Sequence, residues 1–188
     1  WTSEPTGQVM KSDKDGKSLA VLSFIKNTSP YVLAIDATNV YWSEDSSDTP
    51  VRRCPKTGCD GGGIALTSET LANTGAIAVD GTNVYVAEYS WSAIARAPKG
   101  ATNASPAFLL THLDHAYGLA ADDAGVFFST SSIIGRVSPT GPTSSSDTGD
   151  SGTYTTLLGT VRNAIGLIVA PDGNLYWCEN NDVGAVKA

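Results

Sequence analysis

The sequence predicts an all-β fold, a β-propeller built from four-stranded antiparallel blades, of which about four and a half are present. A segment of similar sequence recurs four times along the chain, and no window shows sustained helical periodicity. Gly, Ser, Thr, Asn and Asp are frequent, which is typical of many short strands joined by tight turns. Four short strands in every repeat is the arrangement of a propeller blade, not of a helical solenoid.

The most regular part of the repeat is a hairpin of two strands, a and b. Its copies occupy residues 33–42, 77–86, 119–128 and 168–177. Each copy has an apolar run, four turn-forming residues and an aromatic run, which predicts a tight turn between two buried strands. Because adjacent strand residues point to opposite faces, neighbouring apolar and aromatic residues on strand b require both faces to be covered. Small side chains recur on strand a, where blades crowd around a propeller axis, at Ala34, Ala78, Ala120 and Val169.

Two further strands complete each repeat. Strand c is predicted at residues 9–11, 51–53, 94–96, 134–136 and 185–187, and strand d at residues 19–24, 64–67, 108–111 and 154–159. A turn rich in Pro and Gly separates them in most copies. The repeats thus begin near residues 31, 75, 117 and 166, after a partial N-terminal blade over residues 1–26, and form a single domain, or a fragment of one, over residues 1–188.

The chain opens at strand b of one blade and ends after strand c of another. These ends overlap and do not complement each other, so a ring cannot close by the usual exchange of terminal strands. Because exposed strand edges invite pairing with another chain, we expect missing flanking sequence, another copy or a partner to complete the ring. A piece of a six- or seven-bladed protein is the favoured interpretation.

Two columns of charged residues accompany strands b and c. Two residues after the end of each aligned segment, three copies have an acid and the fourth has Thr130. The acids are Glu44, Glu88 and Glu179. Strand c offers a base in each of these copies, and the bases are Arg53, Arg96, Arg136 and Lys187. Cross-strand pairs of this kind contribute about 0.2 to 1 kcal/mol. The columns are interpreted as structural salt bridges, not as a catalytic array.

Three cysteines are present, and two of them flank a four-residue turn. A hairpin loop of this length can place the Cα atoms of Cys54 and Cys59 within disulfide range. We predict this disulfide, with a reduced cytosolic pair or half of a metal site as the alternatives. Cys178 has no obvious partner and is expected to be a small buried side chain in a strand.

Metal and cofactor signals are weak. The chain has two histidines, His112 and His115, which form a weak metal corner with Asp114 and are expected in a surface loop. Acids in the turns between strands a and b are expected to accept backbone hydrogen bonds, and these acids are Asp36, Asp80, Asp122 and Asp172. We predict no metal site and no cofactor, with calcium at these turns as the alternative.

Composition limits the partners. A net charge of −7 argues against nucleic-acid binding, which depends on clustered Lys and Arg. No apolar stretch approaches the length that spans a bilayer. An acidic, weakly charged chain with a disulfide is typical of a secreted, periplasmic or cell-surface protein.

Three strand b sequences carry a family resemblance. Residues 41–44 (Tyr-Trp-Ser-Glu), 85–88 (Tyr-Val-Ala-Glu) and 176–179 (Tyr-Trp-Cys-Glu) resemble the YWTD and NHL repeat signatures. Residues 54–63, with their two cysteines and three glycines, resemble cysteine-bearing propeller repeats of secreted bacterial proteins. The resemblance implies a propeller over nearly the whole chain, but propellers of this type include binding modules, scaffolds and a few enzymes.

No catalytic constellation accompanies the repeat. We therefore predict a non-catalytic extracellular or cell-surface module that recognises a protein or a glycan, or another copy of itself, through its loops. Trp91 and Tyr89 are the candidate binding residues, because aromatic side chains dominate binding hot spots. The alternatives are a propeller hydrolase or lyase with a central divalent metal, and a structural subunit whose unfinished edges assemble.

Overall fold

The computed structural model describes residues 1–44, 50–68, 71, 73–141, 152–179 and 186–187. This part of the chain contains 18 strands and one short 3-10 helix, Glu4–Thr6. The strands are β1 (Thr2–Ser3), β2 (Gln8–Lys11), β3 (Ala20–Phe24), β4 (Pro30–Ile35), β5 (Asn39–Glu44), β6 (Arg52–Pro55), β7 (Ile64–Ala65), β8 (Thr74–Val79), β9 (Asn83–Glu88), β10 (Ala93–Pro98), β11 (Ala107–Leu110), β12 (Gly118–Asp122), β13 (Gly125–Ser129), β14 (Ile134–Val137), β15 (Thr155–Leu158), β16 (Ala164–Val169), β17 (Leu175–Glu179) and β18 (Val186–Lys187).

These strands form five antiparallel sheets within the described residues, each a meander in chain order. Sheet I is β1-β2-β3, sheet II is β4 to β7, sheet III is β8 to β11, sheet IV is β12 to β15 and sheet V is β16-β17-β18. The prediction of an all-β fold with four-stranded antiparallel sheets is confirmed. Strands a of sheets II to V, which are β4, β8, β12 and β16, lie side by side in space in chain order. Strand β1 lies against β4. The described residues show this series of sheets and not a closed ring.

The turns between strands a and b are built as the sequence predicts. Asp36 Oδ1 accepts the backbone N–H groups of Thr38 and Asn39, both at 2.8 Å. Asp80 repeats this arrangement in sheet III, and Asp122 and Asp172 also accept backbone N–H groups in their turns. The second carboxylate oxygen accepts the hydroxyl of a strand b tyrosine in sheets II, III and V. The prediction that these acids form turns is confirmed.

Apolar layers between successive sheets form the core. Trp42 packs with residues of sheet I, whereas the adjacent Tyr41 packs with residues of sheet III. Tyr85 and Phe128 meet in the layer between sheets III and IV, and Trp177 packs against sheet IV. Strands β5, β9 and β13 are consequently buried on both faces along almost their whole length.

Polar contacts also connect neighbouring sheets. Lys99, after β10, lies 2.9 Å from Asp36 in the turn of sheet II. Burial raises the pKa of Asp36, but the hydrogen bonds from Lys99 and from backbone N–H groups outweigh burial and lower it. The ammonium group of Lys11 donates to the carbonyl of Lys56 at 2.7 Å, and Arg96 donates to the carbonyl of Pro139. Each of these two bases thus reaches the turn that follows strand c in another sheet.

The disulfide loop makes a further connection. Cys54 and Cys59 are bonded, with 5.7 Å between their Cα atoms. The N–H of Cys59 donates to the carbonyl of Leu22 at 3.0 Å, and the N–H of Phe24 donates to Gly61 at 3.4 Å. The loop of sheet II therefore occupies the outer edge of β3 in sheet I.

The acid and base columns are arranged differently from the predicted salt bridges. Arg53 lies opposite Tyr41, and Arg96 lies opposite Tyr85, three positions before the acid of the same strand. Because side chains alternate between faces, these bases point away from Glu44 and Glu88. The base that does meet Glu44 is Arg52, with 3.3 Å between Nε and Oε1.

In sheet V, Lys187 lies opposite Trp177, the register position that Arg52 holds opposite Trp42 in sheet II. Sheet III has Ala95 opposite Val86 at this position, and sheet IV has Gly135 opposite Phe128. The residue opposite the strand b Trp is therefore a base in sheets II and V, whereas sheets III and IV have Ala95 and Gly135 at this register position.

Glycine at position 118 allows β12 to lie close to its neighbours. A Cβ there would lie 2.7 Å from Oγ of Ser129 and 3.2 Å from Cβ of Leu167. Ser129 is fully buried and its hydroxyl donates to the carbonyl of Ala164 at 2.6 Å, so it has little freedom to move away.

We predict that Gly118→Ala lowers the free energy of unfolding by about 1 to 3 kcal/mol, because overpacking forces neighbouring atoms apart. The matched control is Gly81→Ala, since position 81 has open space around it and its counterpart in sheet II is already Ala37. Chemical denaturation of both variants measures the difference. Equal stability of the two variants would contradict the proposed close packing.

Candidate functional site

A groove of about 870 Å³ runs along strands a of sheets II to V. Its walls are runs of consecutive residues at 31–33, 73–77, 117–119 and 165–167, together with Tyr89. Consecutive residues of a strand point to opposite faces, so a surface that contacts all of them meets the edge of the strand. Each of these strands pairs with another strand on one side only in the described residues. The groove is therefore bordered by backbone edges as well as by side chains.

A cluster of aromatic rings lies where strand b of sheet III ends and strand a of sheet IV begins. The ring centroids of Tyr89 and Tyr117 are 5.6 Å apart, and His115 lies 4.7 Å from Tyr89 and 6.2 Å from Tyr117. The backbone N–H of Tyr89 donates to Asn73, and that of Tyr117 donates to Ser129. Burial and a hydrogen bond with Tyr89 raise the pKa of Tyr117, so its hydroxyl stays neutral. The cluster is thus held by sheets III and IV together.

A column of the repeat alternates between tyrosine and glycine along the groove. The column lies two residues before the aligned segments that begin at residues 33, 77, 119 and 168. Its members are Tyr31 in sheet II, Gly75 in sheet III, Tyr117 in sheet IV and Gly166 in sheet V. A Cβ at position 75 would lie 3.0 Å from the carbonyl of Ala116, so glycine also allows β8 and its neighbour to approach. Alignment of the repeats contains this column, but it lies just outside the matched segments and sequence reasoning missed it.

The groove lining carries no formal charge. Among the described lining residues there is no Asp, Glu, Lys, Arg or His, and the polar side chains are those of tyrosines, Asn73 and Thr74. Asn73 has a left-handed backbone, with φ of 53°, and its amide donates to Oγ of Ser90 at 2.6 Å. Asn tolerates this conformation better than most residues. The site can therefore offer aromatic faces, neutral hydrogen-bonding groups and apolar surface, but no ion pair.

Glu88 precedes the lining residue Tyr89 in the chain and is buried behind the groove wall. Its side chain is fully buried, and Oγ1 of Thr74, also a lining residue, donates to Oε1 at 3.3 Å. Oε2 has no hydrogen-bond partner in the described part of the chain. Burial raises the pKa of Glu88 to about 8, and the bond from Thr74 offsets only part of this effect. Sheet III thus holds a buried carboxyl group that favours its protonated form.

The two predicted binding residues have different positions. Tyr89, which is 40% exposed, lines the groove. Trp91, which is 49% exposed, is not among the lining residues and packs on Phe108 of its own sheet, with 5.9 Å between centroids. The structure therefore joins Tyr89 to Tyr31 and Tyr117, and leaves Trp91 outside the site.

The remaining candidate metal-binding residues do not lie together. Cys178 is a free, exposed thiol, so the prediction of a buried side chain is wrong. It points away from Trp177, and sheet IV covers only the Trp177 face of β17. His112 is exposed, and His115 faces the aromatic cluster. Within the described residues no three His, Cys, Asp or Glu side chains lie close enough together to hold a metal ion.

The buried Glu88 leads to a prediction about pH. Its folded-state pKa lies above its unfolded value, so its contribution to stability is fully present below about pH 4 and is lost as the pH rises toward 8. Within that window the free energy of unfolding falls by up to about 1.4 kcal/mol per pH unit. Glu88→Gln, which resembles the protonated acid, should match the wild type at low pH and exceed its stability increasingly as the pH rises toward 8.

Urea denaturation at several pH values measures this difference. Glu4→Gln, in which an exposed acid is exchanged in the same way, is the control for the loss of one negative charge. A stability difference between Glu88→Gln and the wild type that is the same at every pH would show that the carboxyl group does not titrate in this window.

Comparison with known proteins adds little to this geometry. No protein-family model matches the chain, and no curated protein matches it. Among the described residues, no helix combines the length and apolar character that crossing a bilayer requires. A solved structure that matches is the extracellular domain of a hybrid two-component system from B. thetaiotaomicron, with 14% identity and a TM-score of 0.42. The match covers 97% of this chain but 33% of that structure, so this chain spans about a third of its length.

Proposed function

We propose that this chain is a non-catalytic, extracellular binding module of the β-propeller type, which recognises a protein or a glycan with the groove and its aromatic rim. The groove carries the proposal. It combines a volume within the usual range of ligand sites, aromatic rings at one end and a few neutral polar groups. Tyr31, Tyr89 and Tyr117 come from three successive sheets, so the site depends on the assembled fold.

The succession of sheets supports the propeller interpretation. Antiparallel sheets of four strands follow one another along the chain, and their strands a lie side by side. This is how blades are arranged around a propeller axis. The similarity of residues 41–44 and 176–179 to the YWTD and NHL signatures is consistent with the same interpretation, in which residues 1–188 belong to one domain.

The disulfide and the groove chemistry support the remaining parts of the proposal. Structural disulfides persist in oxidising compartments, so the bond between Cys54 and Cys59 favours a secreted, periplasmic or cell-surface location. Among the described lining residues there is no carboxylate, imidazole, thiol or amine to act as an acid, base or nucleophile. The chemistry of these lining residues therefore favours ligand binding over catalysis.

Parallel glycan and peptide arrays test the proposal. We expect the wild-type chain to bind at least one class of probe, and Tyr89→Ala to weaken that binding at least tenfold, a change of about 1.4 kcal/mol. Tyr154→Ala is the matched control, because Tyr154 has nearly the same exposure, 41% against 40%, but lies outside the groove.

Two results would overturn the proposal. Binding that is equally weakened by Tyr154→Ala and Tyr89→Ala would place the contact elsewhere or reflect a general loss of stability. A wild-type chain that retains no probe of either class, under conditions where thermal melting shows it folded, would remove the groove as a recognition site.

A further inference from the structure

The volume and shape of the groove restrict what it can hold. Sites for small ligands commonly have volumes of about 300 to 1,000 Å³, and this groove has about 870 Å³. A folded protein domain cannot enter such a space, although a short chain of linked rings or an extended peptide can. The ligand class must therefore be small, or must present a narrow end.

The charge of the lining narrows the chemistry. A charged ligand that enters an uncharged, partly apolar groove loses hydration and gains no opposite charge in return. The whole chain is also acidic, with a net charge of −7, which disfavours anionic ligands at long range. A neutral ligand meets neither penalty.

The rings and the strand edges together favour one kind of neutral ligand. Tyr31 and Tyr117 stand in sheets II and IV at the repeat position that Gly75, which has no side chain, occupies in sheet III between them. The faces of aromatic rings are electron-rich and attract weakly positive C–H groups. The backbone edges between the rings supply fixed N–H donors and C=O acceptors.

Hydroxyl groups both donate and accept hydrogen bonds. A ligand ring with C–H groups on one face and hydroxyl groups at its edge can therefore contact both the aromatic rings and the backbone edges. An extended peptide would instead add a strand to a single edge. That mode would use one strand a and leave the tyrosines of other sheets without a role.

We infer that the groove binds a short, neutral oligosaccharide, with sugar rings against Tyr31 and the pair Tyr89 and Tyr117, and with hydroxyl groups on the strand a edges. This inference rests on the proposed binding function and specifies its ligand class. Asn73, which is exposed, immediately precedes β8 of sheet III and lies between the two aromatic positions, where it adds a neutral polar contact.

Calorimetric titration with three matched probes tests the inference. The probes are a neutral trisaccharide series of different linkages, the same lengths with uronic acid units, and extended uncharged peptides. We expect the neutral sugars to bind and the acidic sugars to bind at least tenfold more weakly. Affinity for the neutral sugars should change by less than about twofold between low and high salt, because no ion pair is formed.

Variants locate the binding on the tyrosines. Tyr89→Ala and Tyr31→Ala should each reduce affinity for the neutral sugars about tenfold or more, whereas Tyr154→Ala should leave it unchanged. Tyr31→Ala guards against a folding defect of Tyr89→Ala, because the Tyr31 side chain is 49% exposed. Saturation-transfer NMR should show the strongest contacts on the C–H protons of one sugar face.

The outcomes separate this inference from the function on which it rests. Groove-dependent binding of peptides, or a preference for acidic sugars, would overturn the neutral-sugar assignment while leaving the binding module intact. Failure of sugars and peptides alike to show binding that depends on Tyr31 or Tyr89 would overturn both.

Discussion

Burial of strand b on both faces is the constraint on which the rest of this structure depends. Apolar and aromatic residues occupy consecutive positions of β5, β9 and β13, so neither face of these strands can meet water without loss of hydrophobic stabilisation. A sheet with such a strand needs a neighbour on each side. The sheets therefore stack face to face in chain order, with an apolar layer at each interface.

Polar contacts then determine how the stacked sheets are oriented. Apolar packing is not directional, whereas the pair of Lys99 and Asp36, the bond from Lys11 to Lys56 and the disulfide loop each need one relative position of two sheets. The contacts of Lys99 and Lys11 are partly exposed, so the contribution of each to stability is modest. Together they restrict sliding of one sheet over the next.

The groove is a consequence of this stacking. Strands a come side by side because glycine and alanine allow their backbones to approach, and their free edges then face a shared space. Glu88 lies behind the groove wall without the cation that Arg52 supplies in sheet II, because Ala95 holds the corresponding register position in sheet III. In sheet III the groove wall thus adjoins a buried carboxyl group.

The repeat, the strands and the turns could be predicted from the amino-acid sequence, because these features depend on residues close together in the chain. The alternation of apolar, turn-forming and aromatic residues predicted the hairpins, and the turn carboxylates bind backbone groups within a few residues of themselves. The spacing of Cys54 and Cys59 likewise brings the two sulfurs together within one short loop.

The assembled fold was needed to show which side chains meet across strands and which remain accessible. Arg52 and Arg53 are adjacent in sequence, and a register difference of one residue selects which of them faces Glu44. Tyrosines are buried at positions 41 and 85 but line the groove at positions 31, 89 and 117, although the residue type is the same. Exposure depends on where neighbouring sheets lie, and that information is spread over residues far apart in the chain.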